Sequence, residues 1–342
     1  MPVSRSDTAP PKSRAKGLRV AAACVVLLAI AGYVAAQYVT SSTGPARCTV
    51  SAAGEGSDDY EIKPEQAANA ATITAVASRR DLPERAVTIA LATSMQESAL
   101  RNIPHGDRDS LGLFQQRPSQ GWGTEREISD PVYSTGRFYD HLVRIPGYSR
   151  LPLTVAAQRV QHSGYPQAYA KHEANAALLT AALTGRRAAA FTCTTGPGGG
   201  DGKAGSAARV RERLVREFGA GVLPGRRQET PASGTGTAAV PAAAEADGGR
   251  GDGAPGGATR TRSEDDANSR VLIPVRTGQR GWELAHWAVA NSEMLHITQV
   301  SYGNRLWDSA SSEEGWRTRE GDSGGRESSG GTKVTVRVAT GQ

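Results

Sequence analysis

The sequence predicts a multidomain chain: a mainly α-helical domain, a small α+β domain after it, and one N-terminal transmembrane helix. Three observations predict this. A 22-residue apolar run follows a basic tail, two of the three cysteines bracket a helix-patterned stretch, and strand-type alternation begins only after a glycine-rich gap. At 342 residues the chain is long enough for about two domains.

The apolar run, Leu18 to Val39, is long enough to cross a bilayer as a helix of about 20 residues, so residues 18–40 read as an anchor. Residues 1–17 then form a cytoplasmic basic tail. Arg5, Lys12, Arg14, Lys16 and Arg19 oppose only Asp7 at this end, and no Lys or Arg follows the run until Arg47. The positive-inside rule therefore places everything after Val39 outside the cytoplasm, as a single-pass cell-membrane protein. The competing reading is a cleaved signal peptide, because Val34-Ala35-Ala36 offers small residues for a cut before Gln37. One span cannot line a solute pathway by itself.

Residues 1–19 hold +4 of the net charge of +6, whereas the stretch from Cys48 to Cys193 carries 15 basic and 15 acidic residues. No basic patch survives outside the tail, so nucleic acid is not an expected partner. The pattern gives no sign of an oligomeric state.

Cys48 and Cys193 bracket residues 48–193, read as one domain. Outside the cytoplasm a disulfide is permitted. A Cys48–Cys193 bridge would close a loop of about 145 residues and contribute about 2–5 kcal/mol. Two unpaired thiols are the alternative. With no Cys-x-x-Cys and no clustered histidines, no metal site and no cofactor are expected.

Within this domain Pro64 to Ser78 is Ala-rich and free of internal Gly or Pro, hence helical. A second helix should start at Asp81 as N-cap, with Pro83 in its first turn and Glu84 completing a capping box, and run to about Leu100. A polar loop leads to Ser110–Gln116 and a Gly/Pro/Trp loop to Gly123. Helices over Pro131–Arg144, Leu153–His162 and Gln167–Leu183 follow, the last stopped by Gly185.

Residues 194–268 read as a Gly/Ala/Pro-rich linker: 17 of the 40 glycines fall between Thr195 and Asn268, where Phe218 is the one aromatic. Its short helix, 207–218, sets Val210, Leu214, Val215 and Phe218 on one face, so it should dock, while residues 225–268 should be disordered. Residues 269–342 read as a small α+β accessory domain. Val271–Val275, Ile297–Tyr302 and Val334–Val338 are its strands, Trp282–Leu295 its helix with Met294 among the apolar positions, and the region around Gly321–Gly331 an insertion.

The chemistry concentrates between Ile89 and Gly123. Ala86, Ala90, Thr93 and Glu97 share one helical face, so a carboxylate ends a stripe of small, buriable residues. Burial and the negative end of the helix dipole both disfavour a carboxylate's charge. A glutamic acid kept protonated near neutral pH is what a glycosidic leaving oxygen needs.

Gln96-Glu97-Ser98 followed by Ser110-Leu111-Gly112-Leu113-Phe114-Gln115-Gln116 resembles the Glu-Ser … Ser-x-Gly-Leu-Met-Gln signature of lytic transglycosylases and goose-type lysozymes. The resemblance covers about 130 residues, Pro64 to Leu183, and implies a lysozyme-like fold for the helical domain. It implies Glu97 as general acid and Ser110, Gly112, Leu113, Gln115 and Gln116 as cleft residues. The family's later Ala-Tyr-Asn motif would fall on Val155–His162, which here reads Val-Ala-Ala-Gln-Arg-Val-Gln-His. Gln158 or Gln161 is then a substitute, with the ring supplied from Tyr165-Pro166-Gln167-Ala168-Tyr169. Val160 to Tyr169 resembles a variant in wall-hydrolase modules of high-GC Gram-positive bacteria and their phages, and Gln161 and Tyr169 are assigned to substrate binding.

Asp107 and Asp109, on the loop after Glu97, are candidates for the second carboxylate of a hydrolase; turn-forming aspartates are the alternative. Without a second carboxylate the substrate's own N-acetyl and 6-hydroxyl groups complete the reaction, as in lytic transglycosylases. Phe114 and Trp122 are candidates to stack on sugars or to be simple core. The C-terminal domain resembles small domains appended to bacterial wall hydrolases, related to metallopeptidase-like folds. It lacks the His/Asp set of such a peptidase.

The expectation is a membrane-anchored enzyme cleaving peptidoglycan glycan strands, either a lytic transglycosylase or a muramidase. The alternatives are a non-catalytic glycan-binding or scaffold protein of the envelope and a regulatory single-span protein acting through its Trp-rich module.

Overall fold

The computed structural model describes residues 22–34, 44–52, 59–196, 203–223, 269–319 and 331–340. At the N-terminus it corrects the expectation of a transmembrane helix. The described residues of the 18–40 stretch, 22–34, are helical, and no helix among the described residues is long and apolar enough to cross a membrane. The rest of the 18–40 stretch lies outside the described residues.

The architecture is helices combined with two antiparallel sheets. Strands β1 (Arg47–Val50) and β2 (Tyr60–Ile62) precede helices α1 (Pro64–Arg79), α2 (Glu84–Ser98), α3 (Glu125–Ile128), α4 (Pro131–Leu142) and α5 (Leu153–Gln161). A 3₁₀ turn (Pro166–His172), α6 (Glu173–Leu183) and β3 (Phe191–Thr194) complete this part. The first sheet has the order β2-β1-β3, with Cys48 directly opposite Cys193, and the two cysteines form a disulfide.

Two local expectations fail for identifiable reasons. Asp81 does not cap α2; it takes a left-handed φ of 52° in the turn, the helix begins at Glu84, and Pro83 stands at its N-cap with no side-chain cap. The Glu84 carboxylate instead pairs with Arg186 at 3.0 Å and accepts from the Thr184 hydroxyl at 3.3 Å. The helix expected over Gln167–Leu183 is split, its first turns being 3₁₀. Side chains three apart eclipse in 3₁₀ geometry, which lets Tyr169 and His172 both reach α2.

Helix α7 (Ala207–Phe218), capped by Ser206, docks as expected through Val210, Leu214 and Phe218, while Val215 stays at its margin. Residues 225–268, expected to be disordered, lie outside the described residues, as does most of the insertion near Gly321–Gly331. Strand β4 (Arg270–Pro274), helices α8 (Gly278–Ala290) and α9 (Ser292–Leu295), and strands β5 (Ile297–Tyr302), β6 (Arg305–Asp308), β7 (Arg317–Thr318) and β8 (Lys333–Val338) make the C-terminal module. Its sheet runs β4-β8-β5-β6-β7, antiparallel throughout. Met294 is exposed, not core: α8 ends at Ala290, and the short α9 after it buries Ser292 and Leu295 and leaves Met294 outside.

The described residues of Ala46–Thr195 and those from 203 onward form one compact unit. Edge strand β3 offers the carbonyls of Phe191 and Cys193, and these accept the indole N–H groups of Trp316 at 2.8 Å and Trp307 at 3.0 Å. His286, fully buried, hydrogen-bonds through Nδ1 to the Ala182 carbonyl at 2.7 Å. Arg280 donates to Ser78 Oγ at 2.7 Å and to Glu283 at 2.6 Å. Gly185, at φ +72°, admits the backbone of α8 so closely that a Cβ there would stand 1.9 Å from the Gln279 carbonyl oxygen.

Candidate active site

Glu97 occupies the last turn of α2, on the face lined by Ala86, Ala90 and Thr93, all fully buried, and is itself half-buried. The helix end that presents it is held from α1. Ala99 and Leu100 take left-handed conformations, φ 53° and 58°, which cost roughly 1–2 kcal/mol each in an L-residue. Their carbonyls accept the side-chain amides of Gln66 at 2.7 Å and Asn69 at 2.8 Å, which satisfies groups that a helix end leaves open.

The Tyr169 hydroxyl donates to Glu97 Oε1 at 2.7 Å. Burial pushes the Glu97 carboxyl up from its ordinary value, opposed by hydrogen bonds from Tyr169 and Gln161. Burial also pushes the Tyr169 phenol up, and the Glu97 charge adds to it, so Tyr169 remains a donor. Among the described residues no other carboxylate contributes to the Glu97 shift.

The segment 110–116 forms a tight turn closed by a Leu111–Gln116 bridge. Ser94 and Ser98, one turn apart on α2, both donate to the Leu113 carbonyl, at 3.0 and 2.8 Å, and Gln161 Nε2 donates to the Phe114 carbonyl at 2.7 Å. The turn is thereby fastened beside Glu97 from two helices. Gly112 sits at φ +78°, where a Cβ would stand 2.8 Å from the Ile128 carbonyl oxygen, so the turn admits only glycine there. Gln115, half-buried at φ 48°, folds its amide back onto the Gly112 carbonyl at 3.2 Å.

The structure thus brings Glu97, Gln161, Tyr169 and the 112–115 turn together. Several side chains of the segment 110–116 lie deeper, so the turn meets Glu97 through its backbone. Leu113 is fully buried, Ser110 is 7% exposed, and Gln116 is 2% exposed with its amide donating to the Ser134 carbonyl at 2.9 Å. Phe114 is core, stacked on Phe138 with centroids 4.6 Å apart, and Trp122 stacks on His141 at 4.2 Å. Asp107 is exposed. Asp109 accepts from the Ser119 N–H at 2.8 Å and from Arg117 Nε at 2.6 Å. Hydrogen bonds from Ser119 and Arg117 hold its carboxyl well below the usual range.

Sequence reasoning missed the two serines as anchors of the turn, although hydroxyls four apart on one helix face are a readable signal. It also missed His172, whose Nε2 meets Gln96 Oε1 at 3.2 Å and makes a second tie between the 3₁₀ turn and α2.

Residues 269–329 are similar to the family described as VldE, C-terminal domain, and this likeness lies within the C-terminal module. No curated protein matches the chain.

Proposed function

We propose that this chain cleaves the β-1,4 link between N-acetylmuramic acid and N-acetylglucosamine in peptidoglycan strands, with Glu97 as general acid, and that it does so by transglycosylation. The observation that carries this is the Glu97 carboxyl itself. It is half-buried, shifted toward its protonated form, and gripped by Tyr169 at 2.7 Å beside the glycine turn. An acid with a raised pKa can protonate a leaving oxygen near neutral pH.

The choice of transglycosylation rests on the carboxylates. Asp109 is committed to Arg117 and Ser119 and is a weak base, and no other carboxylate acts on Glu97 among the described residues. In the proposed sequence Glu97 gives its proton to the glycosidic oxygen and the C1–O bond breaks, while the substrate's acetamido oxygen bonds to C1. The Glu97 carboxylate then takes the 6-hydroxyl proton, and O6 displaces the acetamido oxygen to leave an anhydro end. Glu97 is protonated again, and no water is consumed.

The disulfide supports an extracytoplasmic setting, since such bridges persist in oxidising compartments. The test uses the purified full-length chain on isolated peptidoglycan. Anhydro-ended muropeptides should appear and should vanish in Glu97→Gln. Reducing-end products would make it a hydrolase, and unchanged turnover in Glu97→Gln would remove Glu97 from the reaction.

A further inference from the structure

The loop joining α5 to the 3₁₀ turn carries an aromatic that the chemistry above does not use. Tyr165 is 78% exposed, and beside it Gly164 is so open that an added Cβ would meet nothing within 4 Å. The loop itself is fastened. Gln158 Nε2 donates to the Ser163 carbonyl at 2.8 Å, the Tyr165 N–H donates to Ser163 Oγ at 3.2 Å, and the Ala168 N–H donates to the Tyr165 carbonyl at 3.1 Å. Pro166 fixes its own φ immediately afterwards. An aromatic side chain therefore projects from a fastened backbone, with most of its surface in water.

Its position along the chain links it to the cleft. Tyr165 lies four residues from Gln161, which fastens the turn beside Glu97 through the Phe114 carbonyl at 2.7 Å, and four from Tyr169, whose hydroxyl donates to Glu97 at 2.7 Å. Four residues of chain span at most about 14 Å, so the Tyr165 backbone stays within that distance of both. A pyranose presents a flat row of C–H groups, whose positive edge suits the negative face of an aromatic ring, and the phenol hydroxyl can meet a sugar hydroxyl.

We propose that Tyr165 is a stacking platform for a sugar ring of the glycan strand, in a subsite next to the one cleaved at Glu97. This rests on the glycan-cleaving reading above and adds a residue that sets preference for extended strands. Because the loop backbone that carries the ring is already fastened, little backbone freedom is lost when the sugar lands on it.

The experiment uses the full-length chain and soluble, uncross-linked glycan strands. Tyr165→Ala should raise KM about tenfold with little change in kcat, an effect on the scale of one aromatic contact, and Tyr165→Trp should restore it. In the Glu97→Gln background, where strands stay intact, Tyr165→Ala should weaken strand binding by about the same factor in calorimetric titration. If Glu97→Gln abolishes turnover while Tyr165→Ala leaves both KM and binding unchanged, the platform is wrong and the enzyme reading stands. If Glu97→Gln still turns over, the catalytic assignment fails, and the KM of Tyr165→Ala in the otherwise native chain still scores the platform: a roughly tenfold rise supports it and an unchanged KM overturns it. Loss of self-association in Tyr165→Ala with unchanged strand binding would make the ring a contact between copies and overturn the inference.

Discussion

Trp287 donates its indole N–H to the Glu217 carboxylate at 2.6 Å, joining the C-terminal module to the helix that precedes the undescribed stretch. Glu217 is 2% exposed and also accepts from Thr72 Oγ1 at 3.0 Å and Arg213 Nε at 2.8 Å. One buried carboxylate thus ties α1, α7 and α8 together. Trp287→Phe keeps most of the ring's volume and removes the donor. Leaving a buried acceptor one bond short should cost about 1–3 kcal/mol, seen as a lower midpoint in urea denaturation. An unchanged midpoint would show that the indole bond adds nothing to the joint.

The Cys48–Cys193 bridge closes a loop with a sequence separation of 145 at the point where the β3 carbonyls meet Trp307 and Trp316. Replacing both cysteines by serine should lower stability by about 2–5 kcal/mol. Under reducing conditions the native chain should fall to the level of the double variant, and the variant should not respond.

His286 gives the joint an acid limit. It is fully buried against Phe191, Trp282 and Trp316, and burial pulls its pKa down to about 4 from 6.5, opposed by its bond to Ala182. The folded state keeps the ring neutral while the unfolded chain takes up a proton below pH 6.5. This contribution to stability is therefore complete above about pH 6.5 and is lost as the pH falls toward 4, by roughly 3 kcal/mol in all. His286→Gln keeps a donor for the Ala182 carbonyl but does not titrate. Its difference in Tm between pH 7 and pH 4.5 should be clearly smaller than that of the native chain; an equal difference would place the acid sensitivity elsewhere.

Tyr169→Phe tests the proposed acid through its pH profile. The hydrogen bond from Tyr169 favours the charged form of Glu97, and burial favours the neutral form. Removing the hydroxyl should raise the Glu97 pKa further. Activity that needs the protonated acid is lost on the alkaline side, so the alkaline limb of kcat/KM should move to higher pH while the rate falls. A limb that moves down, or stays, would contradict the role given to Glu97.

Gly112→Ala should be damaging out of proportion to its size. A left-handed φ of +78° and a Cβ placed 2.8 Å from the Ile128 carbonyl oxygen together should cost roughly 1–3 kcal/mol and shift the turn beside Glu97. Thermal denaturation measures the first effect and strand binding the second.

Much of the secondary structure was legible because it is local. Pro64 at a helix start and the single apolar face of 207–218 mark their elements with neighbouring residues alone. Asp81 misled because a capping box is a local preference, whereas Glu84 found Thr184 and Arg186 across the fold. For the 18–40 stretch, hydropathy measures apolar length, whereas among the described residues there only 22–34 are helical and no helix is long and apolar enough to cross a membrane.

At the candidate site, Glu97 stood out by ending a stripe of small residues, and Tyr169 only as a ring within the right ten residues. The sequence by itself determined which residues could be buried together and that one carboxylate would end a buried helix face, since those properties repeat with the period of the helix. Tertiary structure alone decided that Tyr169 grips Glu97 across 72 positions of chain, that Asp109 is committed to Arg117 and Ser119, and that tryptophans of the C-terminal module cap β3. Hydrogen bonds reach about 3 Å in space with no regard to sequence distance, so they exist only once the chain has closed around them.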